Sequence, residues 1–290
     1  MASELEKKTL IYIIGAGRSG TTLLDIILGN NIDSISLGEV NRLYKRNGVP
    51  PKRQRKDKVY TFWKNITNHI NCSNSKYNEL ADIYKRNEYH TGIFKSLLKK
   101  NSILYKENLK LQYHILKIKT VENTLIESSK YPVRALNISE YVSKDDFTIK
   151  YIYLKKDPVK VVNSFQKKDL EQPSKSFLSA NLYYLLVNSL CALTVNFLKI
   201  RKHRVSVIKY EDLVHNSSKT LDKLSEELDE DFSLLTNKLE NKIPLCTGYL
   251  FDGNRIRLKE TLTLRALDDK EVKNGNYYFT RIFNYIVYRK

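Results

Sequence analysis

The sequence is poor in the residues that make cross-links and metal centres. Its three cysteines, Cys72, Cys191 and Cys246, are odd in number and far apart, with no CxxC pair and no histidine at ligand spacing. A disulfide framework and a zinc site are therefore not expected, and a reducing compartment is the simpler setting. The first apolar run, residues 10–14, follows a polar stretch and stops at Gly15, too short for a signal peptide core or a membrane span. The expectation is a cytoplasmic protein without a transmembrane segment. Internal repeats and low-complexity tracts are lacking, as are RRM, KH, zinc-finger and helix-turn-helix signatures, so no element for sequence-selective nucleic-acid reading is in view.

Acidic residues are also scarce: 32 Asp and Glu stand against 50 Lys and Arg, a formal charge of +18. Such a field draws in anions, whether a nucleotide, a polyanion or a membrane surface. Because Lys, Asn and Ile are abundant throughout, a biased composition would also produce part of the excess. The densest run is 42–58, with eight basic residues against one acidic and with Gly48, Pro50 and Pro51 breaking regular structure. It reads as a mobile basic loop.

At 290 residues and 41% hydrophobic content, one principal domain covering 1–290 is expected. TLIYII, TLIESS, FTIKYIYL and RVSVIKY are short apolar or alternating runs separated by helical stretches, the order of a parallel sheet with crossover helices. Residues from about 59 to 120 carry helical spacing without strand alternation and read as a helical lobe, inserted over about 43–123. The segment 174–201, after Pro173, is apolar round much of its circumference but holds several polar residues, which fits a buried core helix better than a span. SSKTLDKLSEEL reads as an amphipathic helix, and a polar tail follows to the C-terminus.

Between the first strand and first helix stands Gly15-Ala16-Gly17-Arg18-Ser19-Gly20-Thr21-Thr22. Glycines allow a tight turn there, and helix N–H groups face whatever lies beyond it, which suits a phosphate. The spacing is that of G-x-x-x-x-G-K-[ST], but Thr21 replaces the lysine that reaches β- and γ-phosphates, which argues against nucleoside triphosphate hydrolysis. Arg18 and the hydroxyls of Ser19, Thr21 and Thr22 remain to hold an anhydride without magnesium.

IIGAGRSGTTLL followed by SLGE resembles the start of the P-loop sulfotransferases, especially the group of tyrosylprotein and bacterial carbohydrate-type enzymes, and LIESSK, YLKKDPVKVVNSF, VIKYEDL and LFDGNRIRL resemble its later segments in order. The resemblance implies a three-layer α/β/α P-loop fold and transfer of the sulfuryl group from 3′-phosphoadenosine 5′-phosphosulfate (PAPS) to a hydroxyl of a glycan, a peptide tyrosine or a small alcohol, with no metal required. It implies Glu39 as the general base, Lys130 with Arg18 as the cations at the transferring group, and Gly17, Arg18, Ser19, Gly20, Thr21 and Thr22 around the 5′-phosphosulfate. Lys156 and Ser164 fall where the family binds the 3′-phosphate. Tyr210 could reach the nucleotide, and Gly253, Asn254, Arg255 and Arg257 fall in the segment that closes over it. Glu127 stands for the usual aspartate, Lys156 for an arginine and Tyr249 for a histidine. Asp157-Pro158 reads as an ordinary helix cap.

The family's acceptor pocket is usually shaped by the region that here is 43–123, which matches no family segment, so the acceptor stays open; the basic run could favour an anionic one. Two other classes remain. A metabolite kinase would need a loop lysine and a carboxylate for magnesium. A noncatalytic polyanion or nucleic-acid binder would use the charge and the basic run beside Tyr44 and Tyr60.

Overall fold

The computed structural model describes residues 6–55, 57–70, 74–167, 174–264 and 273–289. Cys72, Pro173, Lys56 in the basic run and residues 265–269 of the tail, all read above from sequence, lie outside the described residues.

Five strands, β1 (Lys8–Gly15), β2 (Ser34–Gly38), β3 (Thr124–Lys130), β4 (Phe147–Lys155) and β5 (Arg204–Lys209), pair in parallel in the order β2-β3-β1-β4-β5. Parallel neighbours cannot be joined by tight turns, so helices must cross between them and cover both faces. The helices are α1 (Thr21–Leu28), α2 (Lys58–Ile70), α3 (Asn74–Glu88), α4 (Ile93–Leu97), α5 (Ile103–Lys119), α6 (Pro132–Tyr141), α7 (Pro158–Gln166), α8 (Phe177–Ile200), α9 (Tyr210–His215), α10 (Ser217–Leu228), α11 (Ser233–Glu240), α12 (Gly275–Phe283) and α13 (Tyr285–Arg289).

Alternation along β1 divides the core. Ile11 and Ile13 pack with Ile27, Leu221 and Leu224 of α1 and α10, whereas Leu10, Tyr12 and Ile14 pack with Ala135, Ile138 and Cys191 of α6 and α8. The result is a three-layer α/β/α fold. The second cluster continues into the helical lobe through Trp63, Tyr84, Tyr105 and Tyr113, so lobe and sheet share one core. Strand order reverses about β1, which has β3 on one side and β4 on the other. Ligands of open α/β sheets bind beyond the strand C-termini at such a switch point, and the glycine loop sits there.

Three sequence expectations are corrected. The basic run is not a mobile loop: Leu43, Tyr44, Gly48 and Pro50 are buried, Arg42 and Arg46 reach Asp252, and Arg53 pairs with Asp57 at 3.0 Å. Tyr44 packs on Tyr77 and Tyr84 and so offers no face to a base. The strand β2 was not anticipated, because five residues leading into a glycine give too short a pattern. The tail is not merely polar: α12 and α13 dock on α7 and α8, with the Asn274 side chain accepting from Tyr277 N at the start of α12.

Helix α8 is long and apolar enough to cross a membrane by length and composition. Its row Ala180, Tyr184, Val187, Cys191, Val195 and Leu198 is buried in the fold, while Leu178, Leu182 and Leu186 are exposed.

Candidate active site

The glycine loop delivers α1 to the mouth of a cleft of about 700 Å³. Gly20, just before the helix, has φ +94°, and a Cβ there would come within 2.4 Å of the Tyr210 ring, so glycine is needed on both counts. The first N–H groups of a helix have no intrahelical partner, and Gly20, Thr21 and Thr22 line the cleft. Ser19 does not line it; its hydroxyl is buried and donates to Ala16 O at 2.7 Å, holding the turn. Gly17 N donates to Tyr183 Oη at 3.0 Å, and Thr22 Oγ1 accepts from Asn254 N at 3.2 Å. Arg18 is left-handed at φ 70°, lies over the Phe165 ring at 5.3 Å, and lines the cleft. Burial and the neighbouring Arg255 both lower its pKa.

Glu39 enters from the end of β2. Gly38 has φ +76°, and a Cβ there would meet Asp252 O at 2.7 Å. Gly38 N donates to Asp25 Oδ2 at 3.0 Å, Glu39 N to Asp252 O at 3.1 Å, and Asn41 N to Ser129 Oγ at 3.0 Å, so the backbone around Glu39 is fixed from three directions. Its carboxylate is 1% exposed and holds Lys130 Nζ at 2.5 Å and Arg42 Nε at 2.6 Å. Lys130 is in the left-handed region at φ 63°, a conformation uncommon for a residue with a side chain and met at functional sites.

The string 127–130 is anchored from beneath. Glu127 is fully buried and accepts from Arg134 Nε at 2.7 Å, Tyr113 Oη at 2.5 Å and Ser129 Oγ at 2.5 Å. Arg134 also meets Glu88 at 2.5 Å. Ser128 donates to Asp25 Oδ2 at 2.6 Å. Burial pushes the Asp25 carboxyl up to about 7, against the hydrogen bonds from Ser128, Ser36 and Gly38.

Beyond β4 and β5, Lys156, Ser164 and Tyr210 line the opposite wall. Lys156 Nζ sits 4.0 Å from the Tyr210 ring centroid, and burial lowers its pKa. Asp157 caps α7 by accepting from Val159 N at 2.8 Å, as its sequence context suggests. Gly253, Asn254 and Arg255 form the third wall.

The structure therefore gathers Arg18, Gly20, Thr21, Thr22, Glu39, Lys130, Lys156, Ser164, Tyr210, Gly253, Asn254 and Arg255 on one cleft. Gly17, Ser19 and Arg257 are not among its lining. Arg257 is 2% exposed, reaching Pro51 O at 3.3 Å and Asp252 at 3.4 Å, where it ties the closing segment to the basic run. Tyr249 packs on Phe62 at 4.6 Å. Among the described residues the lobe 43–123 contributes nothing to the lining; its approach is indirect, through the Tyr89 ring stacked on Tyr131 next to Lys130. Sequence reasoning missed Arg42 as a partner of Glu39, Tyr183 as the acceptor for Gly17 N, and the 261–264 wall. Arg42 was visible only as one charge in a basic run, and Tyr183 only as one residue in an apolar helix.

No family model matches the chain, and no curated protein matches it in sequence. Solved structures to which it is similar include the sulfotransferase domain from the curacin biosynthetic pathway, at 19% identity and a TM-score of 0.47 over 80% of this chain and 77% of that one. Sulfotransferase STF9 from Mycobacterium avium is similar at 12% identity and a TM-score of 0.48, over 82% of this chain and 69% of its own. STF1 from Mycobacterium tuberculosis H37Rv is similar at 14% identity and a TM-score of 0.43, over 81% and 71%. At such identities these likenesses carry no residue role to this chain, and the roles rest on the geometry above.

Proposed function

We propose that the cleft transfers the sulfuryl group of PAPS to a hydroxyl acceptor by direct in-line displacement. The observation that carries this reading is the Lys130–Glu39 pair, 2.5 Å apart, on the same cleft as a phosphate-type loop that has threonine where a triphosphatase has lysine. A carboxylate for the acceptor proton and a cation for the leaving group are then neighbours, as in-line transfer needs.

The helix N-terminus at Thr21 and Thr22, with Arg18, holds the 5′-phosphosulfate. Lys156 and Ser164, on the far wall, hold the 3′-phosphate; lysine keeps the charge there without the fork of an arginine. Glu39 takes the acceptor's O–H proton as that oxygen bonds to sulfur. The bond from sulfur to the bridging phosphate oxygen breaks, and its electron pair leaves with the nucleotide, where Lys130 and Arg18 offset the growing charge. The acceptor can be a glycan, a peptide tyrosine or a small alcohol.

The test is thermal unfolding in EDTA at moderate salt with 3′-phosphoadenosine 5′-phosphate, AMP or ATP. Selective stabilisation by the 3′-phosphorylated nucleotide is expected, about 2.7 kcal/mol at a hundredfold excess over its Kd. Equal response to AMP, or a response to ATP that requires magnesium, would overturn the reading and favour a kinase.

A further inference from the structure

A second cavity, of about 690 Å³, lies at the outer edge of β5. Among the described residues it is lined by five cations, Lys155, Lys209, Lys219, Lys223 and Arg289, and by one acid, Asp212. Strand register makes it back onto the active-site cleft: Lys155 faces the cavity while Lys156 faces the cleft, and Lys209 faces the cavity while Tyr210 faces the cleft. Lys155 and Lys209 are direct partners in the β4–β5 ladder.

Lys155 is the informative member. It is 4% exposed, and its ammonium makes no hydrogen bond or ion pair among the described residues; the Tyr153 ring lies 5.4 Å away. Burial and the like charge of Lys209 lower its pKa. Its ammonium opens into the cavity, where an entering anion can meet it. By contrast, Lys150, on the same strand and 6% exposed, has Glu230 at 2.7 Å. The rim cations are only partly engaged: Lys223 donates to Val207 O at 2.7 Å and meets Glu227 at 3.9 Å, Arg289 donates to Tyr285 Oη, and Lys209 lies over the Tyr288 ring at 5.1 Å.

We propose that this cavity binds a sulfate or phosphate monoester group, with Lys155 as its floor and Lys209, Lys219 and Lys223 closing round the oxyanion. The inference is independent of the reaction in the cleft. Tetrahedral oxyanions accept several charge-assisted hydrogen bonds at once, which lysines lining one cavity can supply. The cavity is larger than one such ion, so a monoester on a sugar-sized body fits its class.

The experiment measures binding of glucose 6-sulfate and glucose 6-phosphate to the whole chain at fixed ionic strength, the two arms separating sulfate from phosphate. Variants Lys155→Met and Lys156→Met are compared with the parent. Lys155→Met is expected to weaken binding about tenfold or more, the loss of one charge-assisted hydrogen bond, and to leave affinity for 3′-phosphoadenosine 5′-phosphate unchanged. Unchanged ester binding in Lys155→Met, or loss in Lys156→Met alone, sinks the proposal: the first would mean a diffuse surface effect, the second binding in the cleft.

Discussion

Glu127 and Lys130 close the same strand three residues apart, and each joins an ion pair of similar length, yet the two pairs live in different surroundings. Glu127 and Arg134 are both completely buried, 2.7 Å apart, with Tyr113, Ser129 and Glu88 completing the network. Glu39 and Lys130 are 2.5 Å apart at the wall of a cleft, with Lys130 13% exposed and Arg42 on the other carboxylate oxygen. The first arrangement ties each nitrogen of Arg134 to a buried neighbour and holds things in place. The second stands at the lining of the cleft, its ammonium partly exposed, where the pair can be redirected to a substrate. Ser129 links them, donating to Glu127 and accepting from Asn41 N two residues after Glu39. The buried pair therefore positions the open one.

That contrast can be broken at either end. Arg134→Ala should cost about 3–5 kcal/mol in chemical denaturation, because a buried carboxylate is left without its partner; a loss under 1 kcal/mol would deny the buried pair its supporting role. Glu39→Ala should lower turnover about 10²–10⁴-fold, the usual contribution of a general base, while affinity for 3′-phosphoadenosine 5′-phosphate in a binding titration stays nearly intact. Full activity in that variant would remove Glu39 as the base.

Asp25 gives a pH test of the frame beneath both pairs. Its folded pKa, about 7, stands above its ordinary 3.8, so between those values the folded chain binds more protons than the unfolded chain. This group therefore makes stability fall as pH rises from about 4 to 7, by at most about 1.4 kcal/mol per pH unit. Denaturation curves across that range should flatten in Asp25→Asn relative to the parent; an unchanged slope would mean that Asp25 does not titrate there. The smallest effect is expected from Ser164→Ala, a loss of about five- to tenfold in affinity for the 3′-phosphorylated nucleotide with little change in AMP binding, as for one hydrogen bond. Equal losses for both nucleotides would detach Ser164 from the 3′-phosphate.

Much of the site was legible because its parts are local. The loop 15–22 carries its glycines, hydroxyls and Arg18 within a few residues and so stands out before any fold is known, while Lys130, Lys156 and Ser164 are marked by short segments that resemble a family. The helical lobe was legible for the same reason, from spacing within each helix. Other features were hidden because their meaning is set by distant partners. Arg257 carries the same charge as Arg255 two residues away, but one is buried against Asp252 and the other lines the cleft. The run 42–58 reads as a mobile basic surface until Asp252, some two hundred residues later, takes up Arg42 and Arg46.

The sequence by itself determined the class of fold, through apolar strands alternating with helical stretches, and it marked the residues of the lysine-free phosphate loop that line the first cleft. Only the tertiary structure decided which charges are spent and which are available. Ion pairing depends on positions to within an ångström or two across the chain, and no local pattern records that Arg134 and Lys150 have buried or half-buried partners while Lys155 has none among the described residues.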